Sequence, residues 1–314
     1  MNEINYSAAL PMLNSFLGRS SIDINKWISG LKGDISSIIK QMFANGEQGF
    51  FYDPNDLTTM FQDAAGTVPV TGAGQAVGLM LDKSKGLVLG SQLISNGTFD
   101  TDTVWSKGTG WSISGGKANF DGLTAFSNLG NVISAPISGK FLKVEFELSN
   151  VGASVTQIRV LVSGSLGATV PVNRNGKYSA IVLGGSVQSV GIQSQAATGA
   201  GYAFSLDNVS VREVLGNHAY QTNSSMRPLL VASPQRLDYD TADDKLITNL
   251  PAQLTGCTVI RSVPNVGTQI LTGQTIPTTY NDNTDHCGLI VINRALTPSE
   301  TSAIAAEFNK RAGV

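Results

Sequence analysis

The chain has 314 residues, a formal net charge of −2, only 14% charged residues and 34 glycines. That length suits two or three domains rather than one small one. The near-neutral balance, with Lys and Arg scattered along the chain, excludes an electrostatically driven nucleic-acid partner.

Low charge with abundant Gly, Ser, Thr and Asn favours tightly turned β structure over a helical enzyme. The start, with Asn2, Glu3 and Asn5 and no basic lead, does not read as a secretion signal, so folding in a reducing cytoplasm is expected. No run of eighteen apolar residues exists, so no membrane-spanning helix is expected. Cys257 and Cys287 belong to no CxxC pair, and only two histidines exist, which argues against a zinc site. Cys287 enters the apolar run Gly288 to Ile292, so both cysteines read better as buried apolar side chains than as a disulfide.

Residues 1–45 form the first unit. Ile24, Trp27, Ile28, Leu31, Ile35, Ile38, Ile39 and Met42 recur every three or four positions, which puts them on one face of a helix. Gly30 and Gly33 weaken that helix by about 1 kcal/mol each relative to Ala. Its stripe needs a surface, and Ile24, Trp27, Ile28, Leu31, Ile35 and Ile38 are read as an attachment and assembly face, with a trimer as the expected oligomer. After Gly49, Phe50 to Tyr52 reads as extended chain and Asp53 to Asp56 as a turn. Leu57 to Phe61 reads as one helical turn.

From about Leu93 to Val214 the chain reads as short strands. Trp111 to Ser114 and Lys117 to Phe120 flank Gly115-Gly116, a hairpin turn pair. Phe141 to Leu148 alternates with period two, and Gln157 to Val162 and Tyr178 to Leu183 look similar. The expectation is an antiparallel sandwich. Further strands are expected at 235–239, 258–262, 268–272 and 288–292. Thr297-Pro298-Ser299-Glu300 is a capping box opening a last helix, with Gly313 at its end.

Gly46 to Leu57 and Leu79 to Ser84, with Arg294 to Glu300 and Asn309 to Gly313, resemble tailed-bacteriophage structural proteins carrying a concanavalin A or laminin G-like sandwich. Leu93 to Asp100, Trp105, Trp111 and Leu206 to Val211 resemble the jelly-roll carbohydrate-binding modules. In the lectin-like phage domains an Asp-Lys-Ser turn is soon followed by Asn-His-Ala. Here Asp82-Lys83-Ser84 and Asn217-His218-Ala219 stand far apart. The resemblance therefore implies a mainly β protein of two antiparallel sandwiches with an N-terminal helical anchor. A discontinuous outer sandwich, residues 46–88 and 215–314, carries an inserted jelly roll, 89–214. Insertion at a loop tip is cheap when the inserted ends lie together. It further implies a structural calcium at Asp100 and Asp207, near the ends of the first and last jelly-roll strands.

No nucleophile with a base, P-loop or metalloprotease motif occurs, so no enzyme and no cofactor beyond that calcium is expected. Asp238, Asp240, Asp243 and Asp244 read as a solvated turn. Sugar recognition needs an exposed aromatic face, and Trp105, Trp111, Tyr178 and Tyr202 are the candidates. Trp111 alternates with Ile113 and reads as core. Trp105 and Tyr178 are the expected carbohydrate contacts. The functional expectation is a virion protein, assembled in the host cytoplasm, with collar, tail or capsid proteins as partners and a host-surface glycan as ligand. An adhesin and a depolymerase are the competing readings.

Overall fold

The computed structural model describes residues 35–314. Ile24, Trp27, Ile28 and Leu31 lie outside them. The described chain is mainly β, with twenty-two strands and two α-helices, α1 (Ile35–Met42) and α2 (Pro298–Ala312).

Four antiparallel sheets form two sandwiches. Sheet I runs in the order Gly49–Tyr52, Leu289–Ile292, Leu254–Val263 and Gly267–Ile276. Sheet II runs Met60–Phe61, Leu79–Met80, Ala219–Tyr220, Leu246–Asn249 and Thr279–Asp282. Both take strands from either side of residues 89–214. Sheet III runs Gly176–Leu183, Phe141–Ser149, Phe204–Val214, Lys117–Phe120 and Trp111–Ser114, and sheet IV runs Ser165–Pro171, Gln157–Val162, Ser189–Gln193, Asn128–Val132 and Ser106–Lys107. These two draw only on residues 89–214.

Strands Gly49–Tyr52 and Leu289–Ile292 of sheet I are buried on both faces, which explains their unbroken apolar runs. Phe50, Tyr52, Leu289 and Val291 point into the core shared with sheet II. Phe51, Ile290 and Ile292 point the other way, onto a second core with Ile304 and Phe308 of α2 and Ile35, Ile39 and Met42 of α1. Ile35 is buried there and Ile38 packs at its margin. This corrects the assembly reading for both residues: their apolar stripe is covered by the chain's own α2 and sheet I. α2 opens with the expected capping box, Thr297 and Glu300 bonding reciprocally, and ends at Gly313 in the left-handed region.

Sheets III and IV enclose a separate core. The alternation of Phe141–Ser149 sends Leu142, Val144, Phe146 and Leu148 inward. Gly115 and Gly116 close their hairpin with φ of 62° and 69°, which a two-residue turn of this kind requires. The first strand lies at Leu89–Gln92, earlier than the expected Leu93 to Asp100, and pairs with the last, Phe204–Val214. The chain thus enters and leaves the 89–214 sandwich side by side.

A small apolar cluster joins the two sandwiches. Leu79, Leu81, Phe61 and Tyr220 from the sheet II side meet Phe141, Ile181 and Leu183 of sheet III. The Ile181 amide donates to Ala65 O at 3.1 Å, pinning the edge of sheet III.

Beside this junction sits a buried polar knot. Asp82 accepts the amides of Phe51, Ser84 and Asn217, each at 2.8 Å, and the Ser84 hydroxyl at 2.9 Å. Lys83, next in the chain, bridges Asp53 and Asp56 at 2.9 and 2.7 Å, and Arg311 of α2 also pairs with Asp53. Cys257 and Cys287 are buried and free.

Candidate functional site

The outer face of sheet IV is built by simple alternation. In Gln157–Val162 the side chains of Ile158, Val160 and Val162 go into the core, so Gln157, Arg159 and Leu161 go out. Register then aligns Thr169, Arg159, Gln193 and Asn128 in one row across four strands. The next row is Leu161, Gly191, Gly130 and Ser106. A Cβ at Gly191 would overlap Asn128 Oδ1, so glycine there lets the Asn128 amide lie flat on the sheet.

Phe126 lies opposite Gln195, two residues before Asn128 and so in the row beside the polar one. Its backbone takes a φ of 50°, and its amide donates to Gln195 O at 3.2 Å, which bends the loop before Asn128–Val132 over the sheet. The Phe126 ring is 46% exposed, and every other aromatic side chain among the described residues is buried or half-buried. The Arg159 guanidinium carbon lies 4.6 Å from its ring centroid. A cation–π contact of this kind holds the ring in place from one side. The side chains of Asn128, Gln193 and Thr169 form no hydrogen bond with other described residues. The face therefore offers a braced aromatic ring beside unspent amides, which is the composition of a site for a flat polar ring bearing hydroxyls.

The expected platforms lie elsewhere. Trp105 is only 6% exposed. Its ring packs 5.0 Å from Phe99, and its Nε1 donates to Asn96 O at 2.8 Å. The expectation of an exposed indole is corrected: the turn-rich stretch before it folds back and covers it. Tyr178 is half-buried, stacked 6.0 Å from Phe146, with its hydroxyl donating to Arg174 O at 2.7 Å. It lines the core edge and is not part of the sheet IV face. Trp111 is core, against Phe120 and Phe204. Phe126 went unnoticed in the sequence because its exposure depends on a loop and a strand register, neither of which leaves a periodic signal.

Asp100 is exposed and accepts the Thr98 hydroxyl at 2.7 Å, while Asp207 accepts the Asn208 amide at 2.7 Å. Among the described residues, neither joins a group of three metal-capable side chains. Asp240, Asp243 and Asp244 do form one, but Asp240 Oδ1 is occupied by the amides of Ala242, Asp243 and Asp244. Those amide bonds hold the Asp240 carboxyl below its ordinary range.

Neither histidine is placed for proton transfer. His218 Nδ1 accepts the Asp82 amide at 2.9 Å, so Nε2 carries the hydrogen and donates to Val214 O at 3.0 Å. Burial lowers the His218 pKa to about 4. His286 Nε2 lies 2.8 Å from Asp282 Oδ2, which also accepts the Tyr239 hydroxyl at 2.7 Å. His286 and Asp282 are fully buried and Tyr239 nearly so, closing that trio to substrate.

No protein-family model matches the chain, and no curated protein matches it. Among solved structures it is similar to a family 4 carbohydrate-binding module at 15% identity and a TM-score of 0.31, over 38% of this chain and 99% of that one. A family 29 carbohydrate-binding module is similar at 12% identity and a TM-score of 0.29, over 40% and 87%. A Stig cyclase from Fischerella sp. TAU is similar at 11% identity and a TM-score of 0.28, over 40% and 98%.

Proposed function

We propose that the protein is a non-catalytic glycan-binding structural protein, with the outer face of sheet IV as its sugar contact. The observation that carries this reading is Phe126, exposed and braced by Arg159 beside the free amides of Asn128 and Gln193. A pyranose presents C–H groups to an aromatic face and hydroxyls to amides, so the two kinds of contact act together. Residues 46–88 and 215–314 make a discontinuous lectin-like sandwich, and 89–214 is inserted into it and presents the sugar face. The side-by-side entry and exit strands and the Asp82–Asn217 contact support that division.

The resemblance of the outer sandwich to tailed-phage structural proteins supports a virion role. In this reading the protein is assembled in the host cytoplasm and joins collar, tail or capsid proteins. Residues 1–34, with Ile24, Trp27, Ile28 and Leu31, supply attachment and trimerisation. Asp100 and Asp207 remain the proposed calcium ligands. The test uses purified protein and intact bacterial cells. Wild type is expected to label the cell surface without releasing reducing ends from surface polysaccharide, and Phe126→Ala is expected to label at least tenfold less. Release of reducing ends contradicts the non-catalytic reading.

A further inference from the structure

Among the described arginines, four are well partnered, while Arg174 and Arg212 have no side-chain hydrogen bond or ion pair but are exposed to water. Arg294 pairs with Glu47 and Glu300, and Arg311 with Asp53 and Glu307. Arg236 pairs with Asp238, and Arg227 donates to three backbone carbonyls. Arg159 differs. It is half-buried in the middle of the sheet IV face, yet it has no hydrogen bond or ion pair among the described residues. Its Nε is shielded from solvent and unpartnered. Its guanidinium lies over the Phe126 ring.

The charge around it is one-sided. The five strands of sheet IV contain no Asp and no Glu. Their second cation, Lys107, is already paired with Asp102. On the outward side of sheet III, by contrast, Lys143 pairs with Glu145 and Lys140 near its edge with Glu213. A partly desolvated guanidinium with no counter-charge is unfavourable in the free protein, and a bound anion relieves it. The planar fork of Arg fits a carboxylate with two parallel hydrogen bonds.

We propose that this face selects carboxylated glycans, those built on uronic or other acid sugars, and that Arg159 is the residue that sets this specificity. The proposal rests on the reading of the same face as a sugar site. Phe126 stacks on the ring of one sugar unit, and Arg159 takes the carboxylate of that unit or its neighbour. No acidic side chain on the sheet strands opposes the ligand.

The test is affinity electrophoresis of the full chain in gels containing polygalacturonate, alginate or hyaluronate. Parallel gels contain the carboxyl-reduced form of each polymer, and one contains dextran sulfate. Wild type is expected to be retarded by at least one carboxylated polymer, with retention at least tenfold weaker once its carboxyls are reduced. Arg159→Gln is expected to lose that tenfold preference while keeping the wild-type thermal unfolding midpoint within a few degrees. Phe126→Ala, which changes only an exposed loop side chain, is expected to lose binding to both forms. Equal retention by carboxylated and reduced polymers overturns the acid-sugar proposal and leaves the sugar-face reading standing. So does an unchanged preference in Arg159→Gln. Equal retention by dextran sulfate overturns it in favour of unspecific charge attraction. Retention by none of the polymers overturns the acid-sugar proposal. Retention that Phe126→Ala does not alter overturns the sugar-face reading and this proposal with it.

Discussion

The buried carboxylate of Asp82 accepts the backbone amide of Asn217 at 2.8 Å, 135 residues further along the chain. The reverse stitch lies beside it, where the Asp82 amide donates to His218 Nδ1. Together they tie the segment leaving the outer sandwich to the segment returning to it.

Removing that carboxylate strands several buried donors at once. Asp82→Ala leaves the amides of Phe51, Ser84 and Asn217 without their acceptor. Each orphaned buried donor costs about 1–3 kcal/mol. The variant is expected to lose at least about 3 kcal/mol of stability in the outer sandwich. Urea unfolding followed by the fluorescence of a probe in that unit checks this, and a loss under about 1 kcal/mol contradicts it.

The same pair makes a pH prediction. Burial raises the Asp82 pKa to about 6 and lowers that of His218 to about 4. For His218 the unfolded chain binds the proton first, near 6.5. Its contribution is therefore present above pH 6.5 and is lost as pH falls through 4. For Asp82 the folded state binds the proton first, so stability is gained as pH falls from about 6 to 3.8. Each effect is on the order of 3 kcal/mol, with opposite sign, so in the wild type they nearly cancel. His218→Gln removes one side of the balance. Its stability deficit relative to wild type is expected to shrink steadily between pH 7 and 4.5 in parallel urea titrations. A deficit that stays constant or widens toward acid is the contrary result.

The insertion has its own test. Replacing residues 89–214 with a short Gly/Ser linker is expected to leave the outer sandwich folded, with sheets I and II intact by circular dichroism and cooperative unfolding. It is expected to be less soluble, because Phe61, Leu79, Leu81 and Tyr220 lose their cover from Phe141 and Ile181. In the full chain, Ile181→Asp is expected to separate one unfolding transition into two. A single unchanged transition speaks against two folding units.

Much of this fold was legible in the sequence. The Gly115-Gly116 hairpin, the period-two alternation from Phe141 and the Thr297–Glu300 capping box are local signals, and each stands where its residues place it. The parts that misled depend on distant chain. The stripe containing Ile35 and Ile38 looked unpartnered because its cover, α2, lies more than 250 residues later. Trp105 looked exposed because it sits among turn residues. Left-handed backbone at Asn96, Phe99 and Val104 folds that loop over the indole. Periodicity carries no information about such cover.

The helical stripe now divides into two tests. Ile39→Asp is expected to destabilise the sheet I side by about 3 kcal/mol or more, since Ile39 is buried against α2 and sheet I. Ile28→Asp with Leu31→Asp is expected to leave that stability unchanged and to lower the molar mass measured by light scattering. An unchanged mass contradicts the attachment role proposed for that segment.

The most direct measurement of the central claim is a glycan array probed with wild type and Phe126→Ala side by side. The account predicts that wild type labels a defined set of glycans, and that loss of the one exposed ring on sheet IV abolishes the labelling without changing the fold. An array left blank by wild type, or labelled identically by both proteins, contradicts it.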